Sequence, residues 1–169
     1  MIIRFGVFFL ICFFNVSNIF SQQVGEKTAR KVYKEIIQAI GNINPMPPTL
    51  EFKSTKNNPA SYNPRSSTIK IEYKVLEICY SFGVDSLNAL SYILAHELGH
   101  HYQNHGYSTQ YASLDFSNEI EESQESAQQR IDDETQADLY AGFYSHLAGY
   151  DALSVAKEFL DKIYKGYNL

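Results

Sequence analysis

The clearest hydrophobic pattern in the chain is a strict alternation over residues 67–75. The apolar members are Ile69, Ile71, Tyr73 and Val75, and the polar members between them are Lys70, Glu72 and Lys74. Because successive side chains of a strand point to opposite faces, this pattern predicts a β-strand with one buried and one solvated face. We expect it to pair with a short strand at 60–62, since the Asn-Pro-Arg-Ser segment at 63–66 is typical of a turn.

Apolar residues at helical spacing predict helices elsewhere. The segment 24–40 indicates an amphipathic helix that ends at Gly41, and short elements follow as a strand at 50–52 and a helix at 76–82. Further helices are predicted to begin at Asp85 or Ser86, to include Glu134 and run through Leu147, and to cover about 153–164. The apolar positions of the first two of these are Leu87, Leu90, Leu94 and Leu98, and then Leu139, Phe143 and Leu147. The second helix also carries the small residues Ala137, Ala141 and Gly142, which would let it pack tightly against the first. Together these elements predict an α+β fold.

The first 21 residues have the features of a secretory signal peptide. Arg4 is followed by an apolar run at 5–14 that is too short to span a bilayer, and Ser21 precedes a plausible cleavage site at Gln22. We therefore expect residues 22–169 to form one exported domain, periplasmic or secreted, with no spanning helix. Cys79 would be the only cysteine of that domain, so no internal disulfide is expected.

The charge of the chain limits the kind of partner that it can bind. The formal net charge is −5 at pH 7, and the lysines and arginines form no cluster. Nucleic-acid binding proteins carry a basic patch that contacts phosphates. The composition therefore argues against nucleic acid as a partner.

The segment 96–100, His-Glu-Leu-Gly-His, is the most informative motif. On a helix His96 and His100 lie one turn apart and can reach one metal ion, while Glu97 can exchange a proton with a water on that metal. Two histidines supply only half of a tetrahedral zinc site, and so short a motif also occurs by chance. Gly99 is unfavourable inside a helix by about 1 kcal/mol relative to alanine, which indicates close approach of another backbone or of the metal.

A third ligand must come from further along the chain. The metzincin pattern would require Gly at position 103 and His at position 106, where this chain has Gln103 and Gly106. Glu134 is the favoured candidate, because an apolar helical pattern begins beside it and because Asp138, one turn later, can accept a hydrogen bond from a ligating histidine. Other carboxylates remain alternatives by composition, namely Glu119, Glu121, Glu122 and Glu125.

The two motifs, His-Glu-Leu-Gly-His at 96–100 and Glu-Thr-Gln-Ala-Asp at 134–138, resemble those of gluzincin metallopeptidases. The second is similar to the motif of the membrane prenyl-protease clan and of its small soluble relatives, the minigluzincins. The resemblance covers about residues 60–150. It implies a zincin-like domain with a short sheet packed on the histidine helix and on a glutamate-bearing helix. It also implies zinc bound by His96, His100 and Glu134, with Asp138 supporting a ligating histidine. By the same resemblance, the alternating strand lies over the zinc helix and can bind a peptide as an added strand.

The implied activity is zinc-dependent hydrolysis of peptide bonds in a peptide or protein substrate, with Glu97 activating a zinc-bound water. His146 is a candidate for stabilising the oxyanion, and His105 and Tyr144 are alternatives. His101 is expected to be structural, since its neighbour His100 takes the direction that faces zinc. The alternative function is a catalytically silent binding module with the same fold, although such a module would gain nothing from Glu97.

Overall fold

The computed structural model describes residues 25–41, 46–55, 58–103 and 124–169, with side chains in the last range from residue 128 onward. In chain order the elements are α1 (25–40), β1 (Thr49–Lys53), β2 (Ala60–Asn63), β3 (Thr68–Glu72), α2 (Tyr73–Tyr80), a 3-10 turn (Gly83–Asp85), α3 (Ser86–Tyr102), α4 (Gln124–Leu147) and α5 (Ala156–Tyr167). The α+β class is confirmed.

The three strands form one small sheet in the order β1-β3-β2. β3 is the central strand, parallel to β1 and antiparallel to β2. The predicted hairpin is confirmed, and the Oδ1 atom of Asn63 stabilises its turn by accepting hydrogen bonds from the backbone N–H groups of Arg65 and Ser66. Since β3 is paired on both sides, the edge beside α3 among the described strands is β2 and not the alternating strand.

The predicted strand at 67–75 is too long, because the strand ends at Glu72 and Tyr73 begins α2. The buried carboxylate of Glu72, the last residue of the strand, accepts hydrogen bonds from the hydroxyl of Thr55 and the backbone N–H of Asn58. It accepts a third hydrogen bond, 2.9 Å long, from the hydroxyl of Tyr167. The buried face of α2 consists of Val75, Leu76 and Cys79. The last residues of the alternation therefore fit helical spacing equally well.

α3 lies at the centre of the domain and is buried on all sides. Every residue from Ala89 to His101 is buried, while Leu87, at the start of the predicted apolar stripe, is 38% exposed. Helices that are buried all round occur only where several elements cover them. Here β2, α2, α4 and α5 all contact α3, so the two histidines of the motif lie in the interior.

α4 packs on α3 through small side chains. Ala137 and Ala141 are fully buried, and a Cβ atom built on Gly99 would lie 3.1 Å from the Cα of Ala137. This confirms the predicted packing through Ala137 and Ala141, whereas the larger apolar residues of the pattern face outward, Leu139 being 69% and Phe143 53% exposed. Close approach of two helix backbones requires small residues at the contact, which explains both the alanines and the glycine.

α5 starts three residues later than the predicted terminal helix and buries Phe159 and Ile163. Cys79 is a buried free thiol. Among the described residues, no helix is both long enough and apolar enough to cross a membrane.

Candidate metal centre

The side chains of the two histidines of the motif lie next to each other on one face of α3. His96 and His100 are each 1% exposed, and their Nε2 atoms lie 3.1 Å apart. The rings are close to perpendicular, with centroids 4.8 Å apart. Because the two residues are one helical turn apart, their Nε2 atoms are directed to the same position beside the helix.

Glu134 approaches this point from α4. Its Oε2 atom lies 3.3 Å from Nε2 of His96, and its Oε1 atom lies 3.6 Å from Nε2 of His100. Of the residues that the structure describes, these three form the group of His, Cys, Asp and Glu side chains that could hold a metal ion, with ligand atoms within 4.8 Å of one another. The Glu134 side chain is 34% exposed, so the cluster reaches solvent on its side. The rival carboxylates at 119, 121 and 122, and the side chain of Glu125, lie outside the described residues.

Asp138 orients His96 through a hydrogen bond to Nδ1, the ring nitrogen opposite the cluster. Its Oδ1 atom accepts a hydrogen bond from Nδ1 of His96 at 2.9 Å and a second from the hydroxyl of Tyr92 at 2.7 Å. Burial lowers the pKa of His96, but hydrogen bonds to the carboxylates of Asp138 and Glu134 raise it more, to about 9. Burial raises the pKa of Asp138, but the hydrogen bonds from His96 and Tyr92 lower it more, so that it lies below its ordinary value.

Glu97 is buried next to the cluster, 2% exposed. The backbone N–H of Tyr62, on strand β2, donates a hydrogen bond to its carboxylate. Within the described part of the chain its Oε2 atom is buried without a hydrogen-bond partner. Burial raises the pKa of Glu97 to about 7. The carboxyl group can therefore gain or lose a proton near neutral pH.

His101 points away from the cluster and joins α3 to the sheet. Its Nε2 atom donates to the carbonyl oxygen of Met46, and its Nδ1 atom is bonded to the hydroxyl of Tyr62, both at 2.9 Å. The ring of Tyr62 meets it edge-on. This position fits the structural role expected of His101, and it holds β2 beside Glu97.

The structure does not bring His146 to this cluster. It is exposed in the last turn of α4, twelve residues beyond Glu134 and therefore about 18 Å along the helix axis. Tyr144 is buried against Tyr102, with ring centroids 6.1 Å apart, and His105 lies outside the described residues. The predicted oxyanion role of His146 gains no support from this position.

Sequence reasoning missed Tyr92. A signal was present, because Tyr92, His96 and His100 are spaced by four residues and share one helix face. A tyrosine at this spacing, however, is usually part of the core.

The fold and site define a small α+β domain in which two histidines of one helix and a carboxylate of another converge beside a buried glutamate. A sequence model of the family Peptidase U49 matches residues 17–148, and the chain belongs to this family. It is therefore a peptidase, a hydrolase that acts on proteins or peptides. All residues of the cluster lie within the matched range, and α5 lies beyond it. Comparisons with curated proteins and with solved structures found no match.

Proposed function

We propose that this peptidase is a zinc enzyme of the gluzincin type, with His96, His100 and Glu134 as the metal ligands. The observation that carries the proposal is the convergence of the donor atoms: the two histidine Nε2 atoms lie 3.1 Å apart, and the two oxygens of Glu134 lie 3.3 Å from Nε2 of His96 and 3.6 Å from Nε2 of His100. Zinc bonds of about 2.0–2.1 Å at tetrahedral angles place ligand atoms about 3.3–3.4 Å apart. The three side chains offer one ligand atom each within 4.8 Å of the others, which is close enough for a zinc ion to draw them to this spacing.

The kinds of ligand favour zinc over other common cations. Two imidazole nitrogens and one carboxylate suit zinc, whereas magnesium and calcium prefer oxygen ligands. Three protein ligands also leave a fourth position for water or substrate, which is the composition of catalytic zinc sites. Asp138 supports the same assignment, because its bond to Nδ1 of His96 directs Nε2 to the metal.

Glu97 is the proposed general base. When bound, zinc supplies a Lewis acid that makes water more acidic and polarises the carbonyl of the scissile bond. Glu97 accepts the proton of the attacking water and transfers it to the leaving amine. Its pKa of about 7 in the metal-free protein would fall beside a divalent cation, which keeps the base ionised at neutral pH.

Strand β2 is the proposed site of substrate binding. It is the sheet edge next to α3, and its Tyr62 N–H group bonds to Glu97. An extended peptide that pairs with an edge strand is held by backbone hydrogen bonds, and its own side chains determine specificity where they contact the protein. A peptide on β2 would pass the general base.

We further propose that the enzyme is exported and that its leader is removed before Gln22. The support is the basic, apolar and small-residue order of the first 21 residues.

Zinc content and hydrolysis, measured on the same preparations, test the proposed chemistry. Purified wild type should hold close to one zinc ion per chain, and His96→Ala and Glu134→Gln should lose it. Glu121→Gln and Glu125→Gln are the matched controls, because these carboxylates are the rivals by composition. A larger loss of zinc in either control than in Glu134→Gln would reject Glu134 as the third ligand.

The role of Glu97 is tested separately from metal binding. Glu97→Gln keeps the ligands and removes the base, so it should retain zinc while peptide hydrolysis falls by about a hundredfold or more. Equal activity of Glu97→Gln and wild type would reject the assigned role. A wild type that binds zinc but cleaves nothing in a broad peptide library would instead support a silent module.

A further inference from the structure

Tyr92 makes a buried contact with the residues around the metal cluster. It lies on α3 one turn before His96 and is 2% exposed. Its hydroxyl donates to Oδ1 of Asp138 at 2.7 Å, and the same oxygen accepts the Nδ1 hydrogen bond of His96 at 2.9 Å. One carboxylate oxygen therefore joins Tyr92 to the histidine.

Asp138 needs such a contact because its side chain is 46% exposed. A half-exposed aspartate can rotate toward solvent and leave its partner, since water satisfies it equally well. Two donors on one oxygen oppose this rotation, and a hydrogen bond to a charged acceptor contributes more than one between neutral groups. The Tyr92 hydroxyl thus holds the carboxylate where His96 can use it.

The ring of Tyr92 is itself fixed from α5. The fully buried Phe159 packs edge-on against it, with ring centroids 5.8 Å apart, and the ring centroid of His96 lies 6.4 Å away. Rotation of the tyrosine would leave an unfilled space in a close-packed core. A helix beyond the family-matched residues thereby supports the cluster.

We propose that Tyr92 is a positioning residue for the metal centre: its hydroxyl fixes Asp138, and Asp138 fixes the tautomer and ring orientation of His96. The inference rests on the proposed zinc function for its consequence, which is tighter metal binding. The two hydrogen bonds to Asp138 involve only side chains of this protein.

A double-mutant cycle with zinc(II) tests whether Tyr92 acts through Asp138. Tyr92→Phe removes one oxygen atom and keeps the ring against Phe159, so the fold is retained. Direct partners of ligating histidines change metal affinity about 10- to 100-fold, and we expect a smaller loss of about 3- to 10-fold for Tyr92→Phe. In the Asp138→Ala background the same change should alter the affinity less than twofold, because the oxygen that accepts both hydrogen bonds is gone. Equal losses in both backgrounds would overturn the proposal.

Tyr150→Phe is the matched control. The hydroxyl of Tyr150 donates to the carboxylate of Glu35, so this variant loses the same kind of hydrogen bond away from the cluster. Its zinc affinity should equal that of wild type. A loss as large as that of Tyr92→Phe would show a general effect of stability and reject the positioning role.

The exchange of the His96 Nδ1 proton, measured by NMR in chelator-treated protein, gives a readout without metal. We expect exchange to be about 3- to 10-fold faster in Tyr92→Phe than in wild type and unchanged in Tyr150→Phe. Unchanged exchange in Tyr92→Phe would overturn the proposal even if wild type binds zinc. A wild type with no zinc affinity would reject the proposed metal function, while the proton exchange would still decide the role of Tyr92.

Discussion

Gly99 is the position where one added methyl group tests how tightly α3 and α4 pack. In Gly99→Ala the new Cβ atom would lie 3.1 Å from the Cα and 3.3 Å from the carbonyl oxygen of Ala137, and 3.3 Å from the Cβ of Tyr140. Ordinary carbon contacts are about 3.5–4.0 Å. Two of these atoms are backbone and the third is fixed to it, so no side-chain rotation relieves the contact. The helices must separate by several tenths of an ångström.

Two opposite effects set the free energy of unfolding of Gly99→Ala. Alanine is better than glycine in a helix interior by about 1 kcal/mol, whereas overpacking a rigid contact costs about 1–3 kcal/mol. We expect the second effect to prevail, with a net loss of about 1 kcal/mol in the metal-free protein. Glu134 lies one turn before Ala137, so the same displacement moves a proposed ligand, and zinc affinity should fall about tenfold.

Denaturant unfolding and competitive zinc titration of Gly99→Ala check the two parts of this prediction. Gly166→Ala is the matched control, because its Cβ atom would lie 3.1 Å from Cδ1 of Ile78 and 3.6 Å from Cε of Lys74, which are ends of flexible side chains. That variant should be as stable as wild type or slightly more stable. A Gly99→Ala protein with wild-type stability and unchanged zinc affinity would refute the tight packing of α3 on α4.

Two further predictions concern pH and location. Because the pKa of His96 in the metal-free protein is about 9, above its ordinary value of 6.5, the stability that it contributes is fully present below about pH 6.5 and is lost as pH rises through 9, a change on the order of 3 kcal/mol. Zinc requires neutral His96 and should therefore add more stability at pH 9 than at pH 6.5. Unfolding curves measured with chelator and with zinc at each pH give this gain in the free energy of unfolding, and an equal gain at both pH values would contradict the prediction. Expression in a Gram-negative host should give a protein that starts near Gln22 outside the cytoplasm, and an intact mass that retains the leader would contradict export.

Local features of this protein were predictable because they depend on residues close together in the chain. The four-residue spacing of His96 and His100 needs only a helix to bring their Nε2 atoms together. The turn at 63–66 follows from the Asn63 side chain, which bonds to the backbone two and three residues later. The helix containing the motif begins at Ser86, where the sequence places the start.

Contacts between distant segments were decided by the tertiary structure. β3 ends where Tyr167, 95 residues later, bonds to Glu72, which no local pattern contains. The apolar pattern through Leu139 and Phe143 predicts the helix of Glu134, yet these two residues are exposed, and the small residues Ala137 and Ala141 are the ones that are buried. Hydrophobic periodicity indicates which side chains gain free energy when they are removed from water. The distance between the backbones of α3 and α4 at Gly99 depends instead on how little space the facing residues occupy. Small residues indicate close approach from the sequence alone, but which residue faces Gly99 is decided only when the two helices meet.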